Sequence, residues 1–442
     1  MTPRQAEIIE LIHKEVKPAL GCTEPIAVAL ATAKATEILG VHCEKCVSEC
    51  PHWRYNTSFS LDIEVSGNIL KNGMGVGIPG TGMMGLPIAA ALGAVCGDSS
   101  LGLEVLNGVD DDAVTCAKAL VADNKVSVRM AEGSPLLYVR ATVSLGDVSA
   151  SATIEGDHDH IVETSFDGTL LFRETKSGDC SVGAGRTGRE YGLTVKEIYD
   201  FAGSADYEDI KFILADRDYN RKLSQEGLEH NYGLRVGKTI RENQNSVFGD
   251  DFMSYAMGVT AAASDARMAG CTLAAMSNSG SGNQGITVSM PVIAYAERYG
   301  VDDERLARAL ILSNLVAIHI KSYLGKLSAL CGCVVASTGS SCGIVWLEGG
   351  SYGQVCASIK NMIGNITGMV CDGAKVGCAM KVASGVYSSI QSAVLALNGI
   401  EADENNGIID RDIEKTIQNL GEIGSTGMKS TDQMILKIMS CK

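Results

Sequence analysis

Residues 136–155 have the sequence LLYVRATVSLGDVSASATIE, and this stretch shows that the chain is not purely helical. Apolar and polar residues alternate along it, and Val and Thr are frequent. Alternation with a period of two is typical of strands that bury one face. We therefore predict two strands here, at residues 136–145 and 148–154.

The same signal extends to both sides of this stretch. It predicts further strands at residues 60–66, 126–130 and 160–173. Segments with helical spacing, such as GLPIAAALGAV and DDDAVTCAKALVAD, lie among these strands. The middle of the chain, residues 41–190, is therefore predicted to form a smaller, mixed α/β domain.

The flanks of this domain show helical spacing instead. Residues 4–18 and about 25–39 predict two helices, separated by GCTEP. From about Thr194 the strand signal fades, and segments such as DDERLARALILSNLVAIHIKSYL predict helices, often ended by glycine. The fold class that we predict is α+β, with a larger, all-helical catalytic domain at residues 191–442.

Charge and composition exclude several classes of protein. The formal net charge of the 442-residue chain is -15, which does not favour binding to nucleic acid. No run of 18 uncharged apolar residues predicts a membrane span, and the charged N-terminus, MTPRQAEIIELIHKEVK, does not resemble a signal peptide. We therefore expect a cytoplasmic protein that binds neither nucleic acid nor membranes.

The chain has 15 cysteines, which is many for a protein of the cytoplasm. Disulfides are disfavoured in that compartment, so metal binding or catalysis becomes the better explanation for some of them. A free cysteine can also be a small buried hydrophobic residue. We expect this simpler role for most of them, including Cys96, Cys116, Cys180 and Cys356.

Two segments place cysteines where a helix is predicted to begin. In GCTEP, Cys22 precedes a helix N-terminus, whose dipole lowers a thiol pKa and favours the thiolate that binds metals. In GMVCDGAKVGCAMK, residues 368–381, a helix that starts near Asp372 would put Cys371, Lys375 and Cys378 on one face. The alternatives are a turn with an incidental cysteine and a buried stripe of small residues.

Two other segments carry closely spaced cysteines. Cys331 and Cys333 lie in LSALCGCVVASTGSSCGIVWL without a nearby histidine, which favours an iron–sulfur site over a mixed zinc site. The stretch CEKCVSECP has part of a ferredoxin-like spacing but lacks one cysteine. For its three cysteines, a structural or scavenging role is expected: Cys43, Cys46 and Cys50.

Five motifs together resemble the L-cysteine desulfidase family, which is related to the alpha domain of the iron–sulfur L-serine dehydratases. They are EVKPALGCTEP, KNGMGVGIPGTGMMGLPIAAALGA, SDARMAGCTLAAMSNSGSGNQGI, GMVCDGAKVGCAMK and DDERLARALILS. The resemblance implies an oxygen-sensitive [4Fe-4S] cluster with one open iron. It also implies conversion of L-cysteine and water to pyruvate, ammonia and hydrogen sulfide.

The resemblance also implies ligands for the cluster. Cys22, Cys331 and Cys371 match the family's cluster cysteines, and Cys378 matches a further cysteine of the related dehydratases, so four candidates compete for three positions. Because Cys22 must reach the other cysteines, residues 1–40 are expected to pack with the helical domain. Cys441, near the chain end, is a further hypothetical occupant of the open iron.

Catalytic and substrate-binding candidates lie near these cysteines. The base is expected among Lys375, Lys381 and Glu24, with His319 a weaker candidate. Two polar loops could hold an amino acid, because SNSGSGNQGI leads into a helix start and KNGMGVGIPGTG contains a glycine-rich turn. The residues expected to bind substrate there are Ser281, Asn283, Gln284, Lys71, Asn72 and Thr81. The second loop could equally be a plain connection.

The expected function is therefore an iron–sulfur lyase for a small amino-acid substrate, L-cysteine, with L-serine dehydration as the alternative. A pyridoxal-phosphate enzyme is disfavoured because no lysine lies between Lys238 and Lys321, where its Schiff base would be needed. A cluster-bearing redox sensor or electron carrier remains a non-enzyme alternative. The sequence leaves a homodimer open.

Overall fold

The computed structural model describes residues 1–43, 53–55, 59–174, 191–243, 247–325 and 328–441. Within these ranges six strands form one sheet in the order β3-β2-β4-β5-β6-β7, in which β2 and β3 are parallel and the other neighbours antiparallel. The strands are β2 (Ser60–Val65), β3 (Val126–Met130), β4 (Tyr138–Leu145), β5 (Val148–Glu155), β6 (Ile161–Phe166) and β7 (Thr169–Arg173). The predicted smaller α/β part is confirmed.

The alternating stretch at residues 136–155 forms the central hairpin of this sheet. Leu145 pairs with Val148 across a two-residue turn, in which Gly146 has φ +59°. Along β4, Val139, Ala141 and Val143 are fully buried, whereas the residues between them are partly exposed. The predicted strand at 160–173 is divided by a turn at Asp167 and Gly168, both with positive φ.

Helices cover the buried face of the sheet. They are α2 (Thr23–His42), α3 (Gly67–Gly73), α4 (Leu86–Cys96) and α5 (Asp111–Ala122), with 3₁₀ turns at Trp53–Tyr55 and Ser99–Glu104. Helix α2 packs closely on α4, since a Cβ at Gly93 would lie 2.2 Å from the carbonyl oxygen of Ala29. Glycine is therefore required at that crossing.

The position of α2 corrects one prediction about the domains. Helix α1 (Pro3–Glu15) buries Ile8, Leu11 and Ile12 in the core of the helical part, as expected for residues 1–40. Helix α2 instead shares its core with the six-stranded sheet. Apolar residues lie on most sides of this helix, so its sequence does not indicate which neighbour it contacts.

The helical part is built around α13 (Gly332–Leu347), which packs against α11 (Gly282–Tyr299), α12 (Asp303–Leu324), α14 (Tyr352–Ile366) and α15 (Cys378–Leu397). The remaining helices are α6 (Val195–Ser204), α7 (Tyr207–Ile210), α8 (Ala215–Glu229), α9 (Val236–Glu242), α10 (Phe252–Met268), α16 (Ile413–Glu422) and α17 (Lys429–Ser440), with a 3₁₀ turn at Lys211–Leu214 and a π turn at Ile423–Gly427. Small residues on α13 allow close packing: a Cβ at Gly339 would lie 2.4 Å from the Ser313 carbonyl oxygen. Across the described ranges, no helix is both long enough and apolar enough to cross a membrane.

A short two-stranded sheet joins the two parts and is an exception to the predicted all-helical region. Strand β1 (Pro18–Leu20) pairs antiparallel with β8 (Ala274–Met276). Immediately after β8, the backbone N–H and the hydroxyl of Ser277 both donate to the Lys17 carbonyl, at 2.9 and 2.6 Å. These bonds place Cys22, two residues after β1, next to the loop that leads into α11.

Candidate active site

A cavity lies where the α/β part meets the helical part. It encloses about 840 Å³ of empty space, part of it open to solvent. All four cysteines proposed as cluster ligands line it, although they come from segments far apart in the sequence. They are joined by a fifth cysteine, Cys333, which the family resemblance does not match to a ligand.

Most of these cysteines lie at helix N-termini. Cys22 is the N-cap of α2, Cys331 is the N-cap of α13, and Cys378 is the first residue of α15. A fourth helix, α11, begins at the same cavity with Ser281 as its N-cap, whose hydroxyl accepts a hydrogen bond from Gln284 N–H. Helix N-termini present free N–H groups and positive dipole ends, so this cavity favours anions.

The thiols need this positive environment, because burial disfavours their ionisation. Burial raises the pKa of Cys22 to about 12, although Arg267 opposes that shift. Burial also raises the pKa of Cys331 far above its ordinary value, and the nearby thiols of Cys333 and Cys371 raise it further. Thiolates so close together repel one another, so an added cation would favour their ionisation.

The chain itself supplies three cations to the cavity wall: Arg267, Lys321 and Lys381. Arg267 is buried and donates to the Gly21 carbonyl at 2.8 Å and to Asn283 Oδ1 at 3.2 Å. Burial lowers the pKa of Lys321, and the thiolates of Cys371 and Cys331 act in the opposite direction. The cavity therefore combines thiols with positive charge.

Lys381 is held by the loop that carries Cys371. Its ammonium donates to the Val370 carbonyl at 2.7 Å and to Asp372 Oδ1 at 2.5 Å. Burial lowers the pKa of Lys381, but the bond to Asp372 and the negative charges of Asp372 and the nearby thiolates together outweigh burial, and the net shift is upward. Lys381 therefore stays a cation at neutral pH.

The loop of residues 368–377 departs from the predicted helix. Helix α15 begins only at Cys378, so Cys371, Lys375 and Cys378 do not share a helix face. Gly373 has φ +88°, and a Cβ there would lie 2.4 Å from the Lys71 carbonyl oxygen. The Cys371 N–H donates to the Ala329 carbonyl at 2.7 Å. These contacts hold the chain extended, and both cysteines still face the cavity.

The cysteine thiols are the candidate metal ligands at this cavity. Within the described ranges, no group of three or more His, Cys, Asp or Glu side chains is arranged to hold a single metal ion. The cysteines reach the cavity from separate segments of the chain. Iron–sulfur clusters are held by cysteine thiolates, each on its own iron, so several thiols at one cavity fit such a cluster.

Buried polar atoms also point to a ligand at this cavity. Asn72 Oδ1, Arg267 Nε and Gln284 Oε1 are buried without a hydrogen-bond partner among the described residues. All three residues line the cavity. A buried polar atom without a partner costs about 1–3 kcal/mol, so these atoms favour occupation by a polar molecule.

The polar loop before α11 forms one wall, as the sequence predicts. Ser281, Asn283 and Gln284 line the cavity. Ser279 has φ 49°, an uncommon conformation for a residue with a side chain, and Gly280 follows with φ 75°. The loop is tied to α2, because the Thr23 hydroxyl donates to the Gly280 carbonyl at 2.8 Å.

Asn72 and Glu24 complete this wall. The amide of Asn72 donates to Glu24 Oε1 at 3.0 Å, and both side chains line the cavity. Glu24 is therefore already held by a neighbour. Of the base candidates, Glu24 and Lys381 lie at the cavity.

Other predicted residues lie elsewhere. Lys71 is buried and ion-paired with Asp432 of α17 in a neighbouring cleft. Thr81 donates to the Ile78 carbonyl within its own turn, at 2.8 Å. Lys375 pairs with Asp372 outside the cavity lining. The structure therefore does not bring Lys71, Thr81 and Lys375 into the cavity lining, and their polar atoms are engaged in these bonds.

His319 also proves structural: it is buried on α12, with Nε2 2.7 Å from Glu414. Cys441 is exposed at the end of α17 and does not line the cavity. Cys46, Cys50 and Cys180 lie outside the described residues.

Sequence reasoning missed three residues of the cavity: His158, Arg267 and Lys321. Arg267 lies inside one of the motifs that carry the family resemblance, SDARMAG. His158 lies in GDHDH, a concentration of histidine and aspartate in a chain with only 7 histidines. The GDHDH motif could have indicated His158, but it lies more than 100 residues from the nearest cysteine proposed as a ligand.

Comparison with known proteins agrees with the resemblance. The family described as serine dehydratase alpha chain matches residues 101–437. A UPF0597 protein of Oleidesulfovibrio alaskensis is 48% identical over 443 residues, covering 100% of this chain and 99% of that protein. UPF0597 protein BF3772 of Bacteroides fragilis is 46% identical over 439 residues, covering 99% and 98%. A UPF0597 protein of Vibrio campbellii is 43% identical over 441 residues, covering 100% of both chains.

Proposed function

Because the chain belongs to the serine dehydratase alpha chain family, we propose that it is an iron–sulfur lyase that removes the β-substituent of a small amino acid. The substrate that we propose is L-cysteine, and the products are pyruvate, ammonia and hydrogen sulfide. The observation that carries this proposal is the set of cysteines from α2, α13, α15 and the 368–377 loop that lines one cavity.

The donor set suits a [4Fe-4S] cluster held by three cysteines. Cys22, Cys331 and Cys371 would hold it, with Cys378 as the alternative third ligand. When bound, a cluster with one open iron supplies a Lewis acid that assists departure of the leaving group. Arg267, Lys321 and Lys381 would offset the negative charge of the thiolates around it.

The chain's own residues would bind and orient the amino acid. Its carboxylate is proposed to bind at the start of α11, where free N–H groups and the amide nitrogen of Asn283 are available. The unpartnered Gln284 Oε1 and Asn72 Oδ1 are acceptors suited to its ammonium group. The start of α11 and Asn72 would thus fix the substrate's main chain at the polar wall of the cavity.

L-serine is the second candidate substrate, because the matching family is described by serine dehydratase activity. The elimination is the same, except that the leaving atom is oxygen. The same wall would bind either main chain. The two candidates are therefore separated by turnover.

The test is anaerobic purification, reconstitution with iron and sulfide, and assays of both amino acids for pyruvate, with sulfide measured for L-cysteine. We expect sulfide and pyruvate from L-cysteine, lost in C371A together with bound iron. C333S is the matched control, because the Cys333 thiol donates to the Lys381 carbonyl at 3.1 Å and is not needed as a ligand. Pyruvate from L-serine alone would move the proposal to the second candidate. An intact cluster without turnover of either would refute the lyase and favour a redox role.

A further inference from the structure

The turn between β5 and β6 brings a histidine into the cavity from the α/β part. This turn carries the GDHDH motif of residues 156–160. His158 is 5% exposed and lines the same cavity as the cysteines. Its ring lies against the polar loop: a Cβ built on Gly280 would be 3.4 Å from His158 Nδ1 and 3.6 Å from Cε1.

The turn is fixed in place on both sides. Lys17, which precedes β1, pairs with Asp159 at 2.7 Å. His160, two residues after His158, has Nδ1 3.0 Å from the Glu155 carbonyl oxygen. His158 is therefore held in position by bonds within the sheet and to the N-terminal segment.

His158 also reaches a second opening. A cleft of about 760 Å³ lies behind the polar loop and shares His158 and Gly280 with the cysteine-lined cavity. Charged side chains line this cleft: Lys14, Glu15, Lys17, Asp157 and Asp159. The imidazole thus stands between the enclosed cavity and a polar cleft.

We propose that His158 is the general base that removes the α-proton of the amino acid in this site. The proposal rests on the proposed lyase function and adds the residue that the sequence did not identify. The position of His158 beside Gly280 supports this role. The wall at residues 279–284 is proposed to hold the substrate's main chain, and His158 is packed on that wall at Gly280. The reacting atom nearest to His158 is therefore Cα.

The other candidates at the cavity are less suited to this step. Lys381 is kept protonated by Asp372, and Glu24 accepts a hydrogen bond from Asn72. Histidine is the side chain whose ordinary pKa, near 6.5, suits it to take up and release protons near neutral pH. The charged groups that share the cavity with it are Glu24, Arg267, Lys321 and Lys381.

In the proposed step, His158 takes one proton and hydrosulfide leaves the substrate. A neutral nitrogen of His158 takes the Cα proton, and the electron pair of the broken C–H bond forms the Cα–Cβ double bond. The Cβ–S bond breaks, and hydrosulfide leaves with its bonding pair. The imidazolium then releases its proton to water in the outer cleft. The aminoacrylate left behind is hydrolysed to pyruvate and ammonia.

The experiment compares H158Q and H158A with H230Q, a control at an exposed histidine that lines neither opening, all reconstituted anaerobically. We measure iron content, kcat and KM for sulfide release from L-cysteine, and L-cysteine affinity from the change in cluster absorbance. H158Q should lower kcat by about 100- to 10,000-fold, with affinity changed by less than about threefold. Added imidazole should restore part of the activity of H158A. H230Q should behave like the wild type.

Two results would overturn the assignment while the wild type remains active. One is a kcat for H158Q within about threefold of the wild type. The other is a loss that imidazole does not rescue, or that is accompanied by loss of iron or of L-cysteine binding, because it would mark a structural role. An inactive wild type with an intact cluster would instead refute the proposed function, and the assignment with it.

Discussion

Replacing Gly282 by alanine is the sharpest test of how the cavity is held together. Gly282 is the first residue of α11, where alanine would ordinarily favour the helix by up to about 1 kcal/mol. In this structure a Cβ at position 282 would lie 2.2 Å from Arg267 Nε and 2.6 Å from Cζ. The substitution must therefore displace the guanidinium.

The cost follows from what Arg267 contacts. The side chain is 4% exposed, so it has no solvent to move into. Moving it breaks its bonds to the Gly21 carbonyl and to Asn283. Hydrogen bonds from a charged donor contribute about 1.5–3 kcal/mol each, and overpacking costs about 1–3 kcal/mol. Partial retention of the bonds and the helix preference offset some of this, so we expect a net destabilisation of about 2–4 kcal/mol.

Gly364 provides the matched control for this substitution. It lies in α14, is exposed, and a Cβ there would meet its nearest neighbour, Ala402 Cβ, at 3.7 Å. G364A should therefore stabilise the protein by about 0.5–1 kcal/mol. The assay is urea denaturation of the metal-free protein followed by circular dichroism. A G282A midpoint equal to or above that of G364A would refute the role given to Arg267.

Three further predictions concern the surroundings of the cavity. Burial raises the pKa of Asp372, but the hydrogen bonds and positive charges of Lys375 and Lys381 together outweigh burial and hold the pKa at about 2. This stabilisation is present above the ordinary value of 3.8 and is lost as pH falls from about 4 towards 2. D372N should therefore lower the urea midpoint at pH 7 and reduce its further fall at pH 3. C333S should keep the iron content of the wild type after reconstitution, whereas C331S should lose it, as measured by iron analysis. K71M should lower the melting temperature, because Lys71 pairs with Asp432, but should change KM for the amino acid by less than about twofold.

Local patterns in the sequence were sufficient to predict the elements of this fold. The alternation at 136–155 specifies a hairpin because each strand buries one face, and that pattern needs no knowledge of the partner. Helix α2 shows the limit of this reasoning. Because apolar residues lie on most sides of this helix, its sequence does not show which face contacts which neighbour. The close approach at Gly93 identifies α4 as one neighbour.

The site shows the same division between local and long-range information. The helix predicted from Asp372 fails because Gly373 passes against the Lys71 backbone, a contact between residues about 300 positions apart in sequence. The sequence around Lys71 does not indicate a partner for its side chain, but the side chain pairs with Asp432 on α17. His158 was missed for the same reason, since its motif approaches the cysteines only through the fold.

The electrostatics of the cavity explain why these distant segments converge. Arg267 is buried, and no carboxylate pairs with it among the residues that the structure describes. A buried cation is costly unless negative charge compensates it. The N-termini of α2, α11, α13 and α15 add positive potential at the same point. Together these features destabilise the fold when the thiols are neutral, and they become favourable when anions fill the cavity. A group that binds only the folded chain stabilises it by mass action, so an anionic occupant of this cavity would contribute to the stability of the very contacts that hold it.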